Sequence, residues 1–152
     1  MSEIKRWAIK GIRCVVIRTD MGHLCGYVGI TSDHPLYGVD YSSETPALNR
    51  FFEEWKKQTV GDRGIVSILC ASMHTDHGAL TPELFFDVHG GITFSGQGGK
   101  YPTDEKDLWF FGFDCAHAGD TPENWTEDRC IAETERLAEQ IAELSEIQEA
   151  AS

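Results

Sequence analysis

The sequence contains no apolar run near the roughly 18 residues that a membrane span needs. It has no CxxC pair, and its five cysteines are scattered and odd in number. That excludes an obvious disulfide framework and predicts reduced thiols. It has no excess of positive charge either. The formal net charge is −12, so the basic footprint that nucleic acid or an anionic membrane requires is missing. Internal repeats and low-complexity tracts are absent. The opening residues, "MSEIKRWAIKG", lack the apolar core of a signal peptide, and the expected location is the cytoplasm.

What is present is a globular composition. With 41% hydrophobic and 11% aromatic residues over 152 positions, the chain is expected to fold as one domain, 1–152, with a real core. The charge is uneven. Residues 121–152 hold nine acids against Arg129 and Arg136. A solvated helix face explains that run, and so does a surface for a basic protein partner.

"WAIKGIRCVVIRT" and "HLCGYVGIT", joined by Asp20-Met21-Gly22, predict a β-hairpin. A helix should follow "SDHPLYGVDYSS". Thr45 suits its N-cap, Pro46 its first position and Gly61 the residue past its end, with Leu48, Phe51, Phe52 and Trp55 on its buried stripe. "GIVSILCAS" reads as a strand. "ELFFDV" and "ITFSG" read as two more, joined through His89-Gly90-Gly91 in a tight turn. "DLWFFGFD" has almost no polar residue, so both of its faces should be covered. A long helix closes the chain over about 122–148, starting at Thr121-Pro122 or a turn later near Thr126. Cys130, Thr134, Leu137, Ile141 and Leu144 lie on its inner face. At about 1.5 Å per residue such a helix overhangs a small domain and suits a homo-oligomer contact. The expected fold is α+β, a mainly antiparallel sheet with one mid-chain helix and one long C-terminal helix.

The chemistry concentrates in "FFGFDCAHAGDTP". Asp114, His117 and Asp120 follow one another at three-residue steps after an aromatic strand, a spacing that can bring them to one side of a turn. His89 leaves "ELFFDV" at a glycine pair, where backbone can approach a ligand. His89, His117 and Asp114 are the candidate catalytic residues. His89, Asp114, His117 and Asp120 together are candidate ligands for a divalent metal such as zinc or manganese. The same groups have a plainer explanation, with Asp120 capping the last helix and Asp114 holding the turn. Cys115 reads as a packing residue, because nearby carboxylates raise a thiol's pKa. "SMHTDHGAL" resembles the HxHxDH motif of metallo-β-lactamase-like hydrolases, but Ser72 stands where the first histidine belongs. "GQGGK" lacks the GxxxxGK[ST] pattern of a phosphate loop.

Cys25-Gly26-Tyr27-Val28, His34-Pro35-Leu36-Tyr37-Gly38, His89-Gly90-Gly91-Ile92-Thr93-Phe94 and Gly112 to Asp120 resemble a family of small uncharacterised proteins of bacteriophages, prophages and some bacteria. The resemblance implies a phage-type protein of the host cytoplasm and supplies no reaction. Two functions are expected from these observations. One is a His/Asp site at a sheet edge that binds a small polar, nucleotide-like ligand, or a divalent metal for hydrolysis. The other is a non-enzymatic acidic protein that inhibits a host or defence protein.

Overall fold

The computed structural model describes residues 1–56, 80–116, 119–121 and 123–151. The elements are β1 (Ser2–Ile9), β2 (Ile12–Arg18), β3 (Leu24–Ile30), α1 (Pro46–Lys56), α2 (Pro82–Phe85), β4 (Phe94–Gln97), β5 (Trp109–Asp114) and α3 (Glu127–Ala151). Among the described residues, five strands form one antiparallel sheet in the order β1-β2-β3-β5-β4, an α+β architecture as expected.

The predicted hairpin is β2–β3. Gly22, at a φ of 94°, closes its turn by donating to the Thr19 carbonyl at 2.9 Å. The first predicted strand is in fact two. Lys10 and Gly11 both take left-handed backbone, at φ 51° and 80°, and fold β1 back on β2. That pair of positive φ values is a primed two-residue turn, the kind whose twist matches flanking strands.

The sheet is covered on both faces, which accounts for the near-continuous apolar runs of β2 and β5. Cys14, Val16, Val28, Phe111 and Phe113 belong to the main core beneath α3. Val15, Ile17, Cys25, Tyr27 and Phe110 belong to a smaller cluster on the opposite face, packed by Phe94, Tyr101 and Leu108. α3 lies across β2 and β3. Its stripe of Cys130, Thr134, Leu137, Ile141 and Leu144 is buried, as its 3–4 spacing predicts. The Thr134 hydroxyl donates to the Cys130 carbonyl at 2.8 Å, which removes the cost of burying it.

Helix starts follow the expected chemistry with two corrections. Thr45 caps α1, its Oγ1 accepting the Ala47 N–H at 3.3 Å, and Leu48 and Phe51 are buried. The end near Gly61, the strand "GIVSILCAS" and the "SMHTDHGAL" motif with His74 and His77 lie outside the described residues. α3 begins at Glu127, the later of the two expected starts, rather than at 122. Thr121 stops at a single turn, its carbonyl accepting the Trp125 N–H at 2.8 Å. The cap of α3 is Thr126, whose Oγ1 accepts the Arg129 N–H at 3.2 Å. "ELFFDV" is not a strand. Pro82 occupies the first turn of the short helix α2, with Thr81 extended before it and Glu83 in that turn. A proline with preset φ after threonine starts a helix here as it does at Thr45-Pro46. The chain turns extended only at Phe86.

Candidate functional site

The segment after α2 carries His89 into the structure without a strand to support it. The helix α3 holds it instead. Gln140, fully buried, accepts the Asp87 N–H at 2.9 Å and donates to the Asp87 carbonyl at 2.8 Å. Glu133 accepts the His89 N–H at 2.8 Å. Gly90 and Gly91 follow at φ 70° and 79°, and the Gly91 N–H returns to the Val88 carbonyl at 2.9 Å. The positive φ expected of the glycine pair is there, in a turn between a loop and β4 rather than within a hairpin.

Held this way, the His89 ring meets two residues of the connection between β5 and α3. Its Nε2 lies 2.8 Å from Asp120 Oδ2. Its ring packs on Trp125, with centroids 4.2 Å apart. The His89 side chain is 26% exposed and that of Asp120 is 8% exposed. The carboxylate is therefore shielded, while the imidazole keeps a path to solvent. A carboxylate acceptor at Nε2 selects the Nε2–H tautomer and leaves Nδ1 as the basic nitrogen.

The expected cluster divides. His89 and Asp120 come together. Asp114 closes β5 and works as a turn holder, accepting the Thr93 hydroxyl and the Ala116 N–H, both at 3.1 Å. His117 lies outside the described residues. Among the described residues, no group of three or more histidine, cysteine or acidic side chains is placed to hold a metal. Cys115 is a packing residue. Its thiol is pushed up by a hydrogen bond with the Cys130 thiol, by burial, and by the charges of Asp120 and Asp114. A thiol in that state is a poor nucleophile.

Two recesses meet at Trp125, which is 6% exposed. One, of about 260 Å³, opens between Arg18, His23, Cys115 and Asp120. The other, of about 350 Å³, opens beside His89 and is walled by Asp87, Arg129, Glu133 and Arg136. Arg136 donates to Asp87 at 2.8 Å and to Glu133 at 2.9 Å, and these acids raise the pKa of its guanidinium. Arg129 lies with its Cζ 4.1 Å over the Trp125 ring and donates to the Asn124 carbonyl at 2.8 Å.

Sequence reasoning missed Trp125, Arg129, Glu133, Arg136 and Gln140. The last four recur at 4-3-4 spacing, a polar stripe running beside the apolar one on α3. That spacing was legible, but what the stripe faces was not. Compared with family models, with curated proteins and with solved structures, the chain matches none.

Proposed function

We propose that the protein binds a small polar ligand, nucleotide-like in size, in the recess beside His89, and that the His89–Asp120 pair serves as acid and base for its hydrolysis. The supporting observation is the 2.8 Å contact between His89 Nε2 and Asp120 Oδ2, with His89 on the wall of a recess that also holds two guanidinium groups and Asp120 on the wall of the neighbouring one. Asp120 fixes the tautomer and stabilises the imidazolium. His89 takes a proton from water as the water oxygen bonds to the electrophilic centre. It then returns that proton to the departing oxygen as the old bond breaks. His117 and Asp114 complete the candidate set by sequence. A metal-assisted version, with zinc or manganese, has less support. Two ligands, His89 and Asp120, come together among the described residues, and a catalytic zinc commonly uses three from the protein.

In this reading the protein works in a host cytosol, as the phage-type resemblance implies. No described helix is long and apolar enough to cross a membrane. The second reading, a non-enzymatic inhibitor of a host or defence protein, is favoured by the exposed acids Glu123, Glu127 and Asp128 where α3 begins.

Untagged protein is assayed against chromogenic esters, with elemental analysis of the same sample. His89→Gln and Asp120→Asn should each lower turnover by about 100-fold or more with the fold retained. His117→Ala tests the third candidate. Absence of turnover in the wild type, or turnover undiminished in both His89→Gln and Asp120→Asn, overturns the hydrolytic reading. Specific capture of one basic host protein by a chain without turnover supports the second.

A further inference from the structure

The recess beside His89 uses its two guanidinium groups unequally, and that identifies what it would accept. We propose that it takes a singly charged oxyanion, a carboxylate or a phosphodiester, held on the guanidinium of Arg129. The inference rests on the His89–Asp120 reading and adds the ligand class to it.

Arg129 and Arg136 stand on the same polar stripe of α3, yet they are used differently. Arg136 is cancelled twice, by Asp87 and by Glu133. Arg129 is exposed, and among the described residues no carboxylate lies within ion-pair distance of it. It gives one N–H to the Asn124 carbonyl, which leaves most of the fork's donors unspent. Its plane is set by the indole beneath it rather than by an acid. Helix stability does not explain its place. Arg129 sits in the first turn of α3, where the helix dipole presents its positive end and a cation is unfavourable. An anion bound there gains from the guanidinium, while Glu127 and Asp128 of the same turn already answer the helix terminus.

The arrangement of charge sets the valence. The two acids and two guanidinium groups of the wall sum to zero, but Arg129 stands apart from the acids and can meet one negative charge. A second charge on the ligand would meet Asp87 and Glu133 with no free cation to offset them. The aromatic wall sets the manner of recognition. Trp125 is 6% exposed and already packed by His89 and Arg129, so it has little face left on which to stack a base. The ligand is therefore read by its charge, not by a ring.

The test is a titration of the full ¹⁵N-labelled chain at pH 8 with sodium acetate, dimethyl phosphate and methyl phosphate. The Arg129 Nε–H and Trp125 indole N–H signals are read, assigned through Arg129→Gln and Trp125→Phe. The expected result is a saturable shift with acetate or dimethyl phosphate, the tighter of the two naming the source, and weaker binding of doubly charged methyl phosphate. Arg129→Gln should weaken binding about tenfold or more, since a charge-assisted hydrogen bond is lost. Asp87→Asn removes one of the two acids that oppose a second charge and should weaken the preference for single charge, with Arg136 still held by Glu133. No saturable shift, a shift that survives Arg129→Gln, or tighter binding of methyl phosphate by the wild type overturns the inference. Binding that persists in His89→Gln beside a wild type without turnover leaves the ligand class standing and removes the hydrolytic reading. Turnover by a chain that binds none of the three probes does the reverse.

Discussion

Gln140 closes on both main-chain groups of Asp87, accepting its N–H at 2.9 Å and donating to its carbonyl at 2.8 Å. With Glu133 on the His89 N–H, α3 fixes the backbone of 87–89 in the way that a neighbouring strand would. The position of His89 is thus set by two polar side chains of a helix.

Replacing Gln140 with Leu should leave both Asp87 groups without their partners. A cost of about 1–3 kcal/mol is expected. The drop is read from the urea midpoint, and the His89 ring resonances should move with it. A Gln140→Leu protein as stable as the wild type would show that the clamp contributes nothing.

His34 gives the fold a pH dependence. It is buried, its Nδ1 accepts the Leu36 N–H at 3.1 Å, and its Nε2–H donates to the Ile141 carbonyl at 2.9 Å. Burial holds its pKa below the ordinary value, against the weaker pull of the Ile141 carbonyl and Asp33. A proton on Nδ1 would face the Leu36 N–H, donor against donor. The unfolded chain therefore binds this proton more readily than the folded one. The stability contribution is whole above about pH 6.5 and is lost as pH falls from there toward the lower folded value. Urea midpoints between pH 8 and pH 5 should fall more steeply for the wild type than for His34→Asn, which keeps an acceptor without titrating. Equal slopes would contradict this account.

At Gly26 the sheet has no room for a side chain beneath α3. A Cβ there would collide with the Thr134 hydroxyl and the Phe113 ring. Gly26→Ala should destabilise by about 1–3 kcal/mol through overpacking. The double variant Gly26→Ala/Thr134→Ala should recover part of the loss, because Phe113 still clashes at 2.5 Å. No recovery would place the conflict elsewhere.

The thiols should be slow to react in the native state. Cys14, Cys25, Cys115 and Cys130 are free and buried. Burial is the main force pushing Cys14 up to about 12 and Cys25 up to about 11. An aromatic disulfide reagent at pH 8 should find these four protected, and should titrate all five cysteines in denaturant. Rapid native modification of any of the four would show that the core opens readily.

Wherever a local pattern sufficed, the sequence alone determined the structure. Thr45-Pro46 starts α1, and Asp20-Met21-Gly22 turns the β2–β3 hairpin. The 3–4 spacing of Cys130, Thr134, Leu137, Ile141 and Leu144 buries one face of α3, and the unbroken apolar run of β5 needs cover on both sides. These features arise from backbone preferences and burial periodicities acting over a few residues. The sequence left ambiguous the segments where two local rules compete. Leu84-Phe85-Phe86 suits a strand, but Thr81-Pro82-Glu83 before it starts a helix, and packing against Phe51 favours the compact turn, with the Phe85 ring 5.4 Å away. Lys10-Gly11 interrupts what reads as one strand, and only pairing of β1 with β2 makes it a hairpin.

The site was half legible. Reactive side chains were visible at His89, Asp114, His117 and Asp120, but not which of them meet. Tertiary structure decided that His89 joins Asp120 across 31 residues, that Asp114 accepts from Thr93 and from the Ala116 N–H, and that Arg129, Glu133 and Arg136 of α3 wall the recess. The reason is physical. A hydrogen bond between distant side chains has no local term in the chain. It exists only once the order β3-β5-β4 and the approach of α3 have brought their backbones within reach.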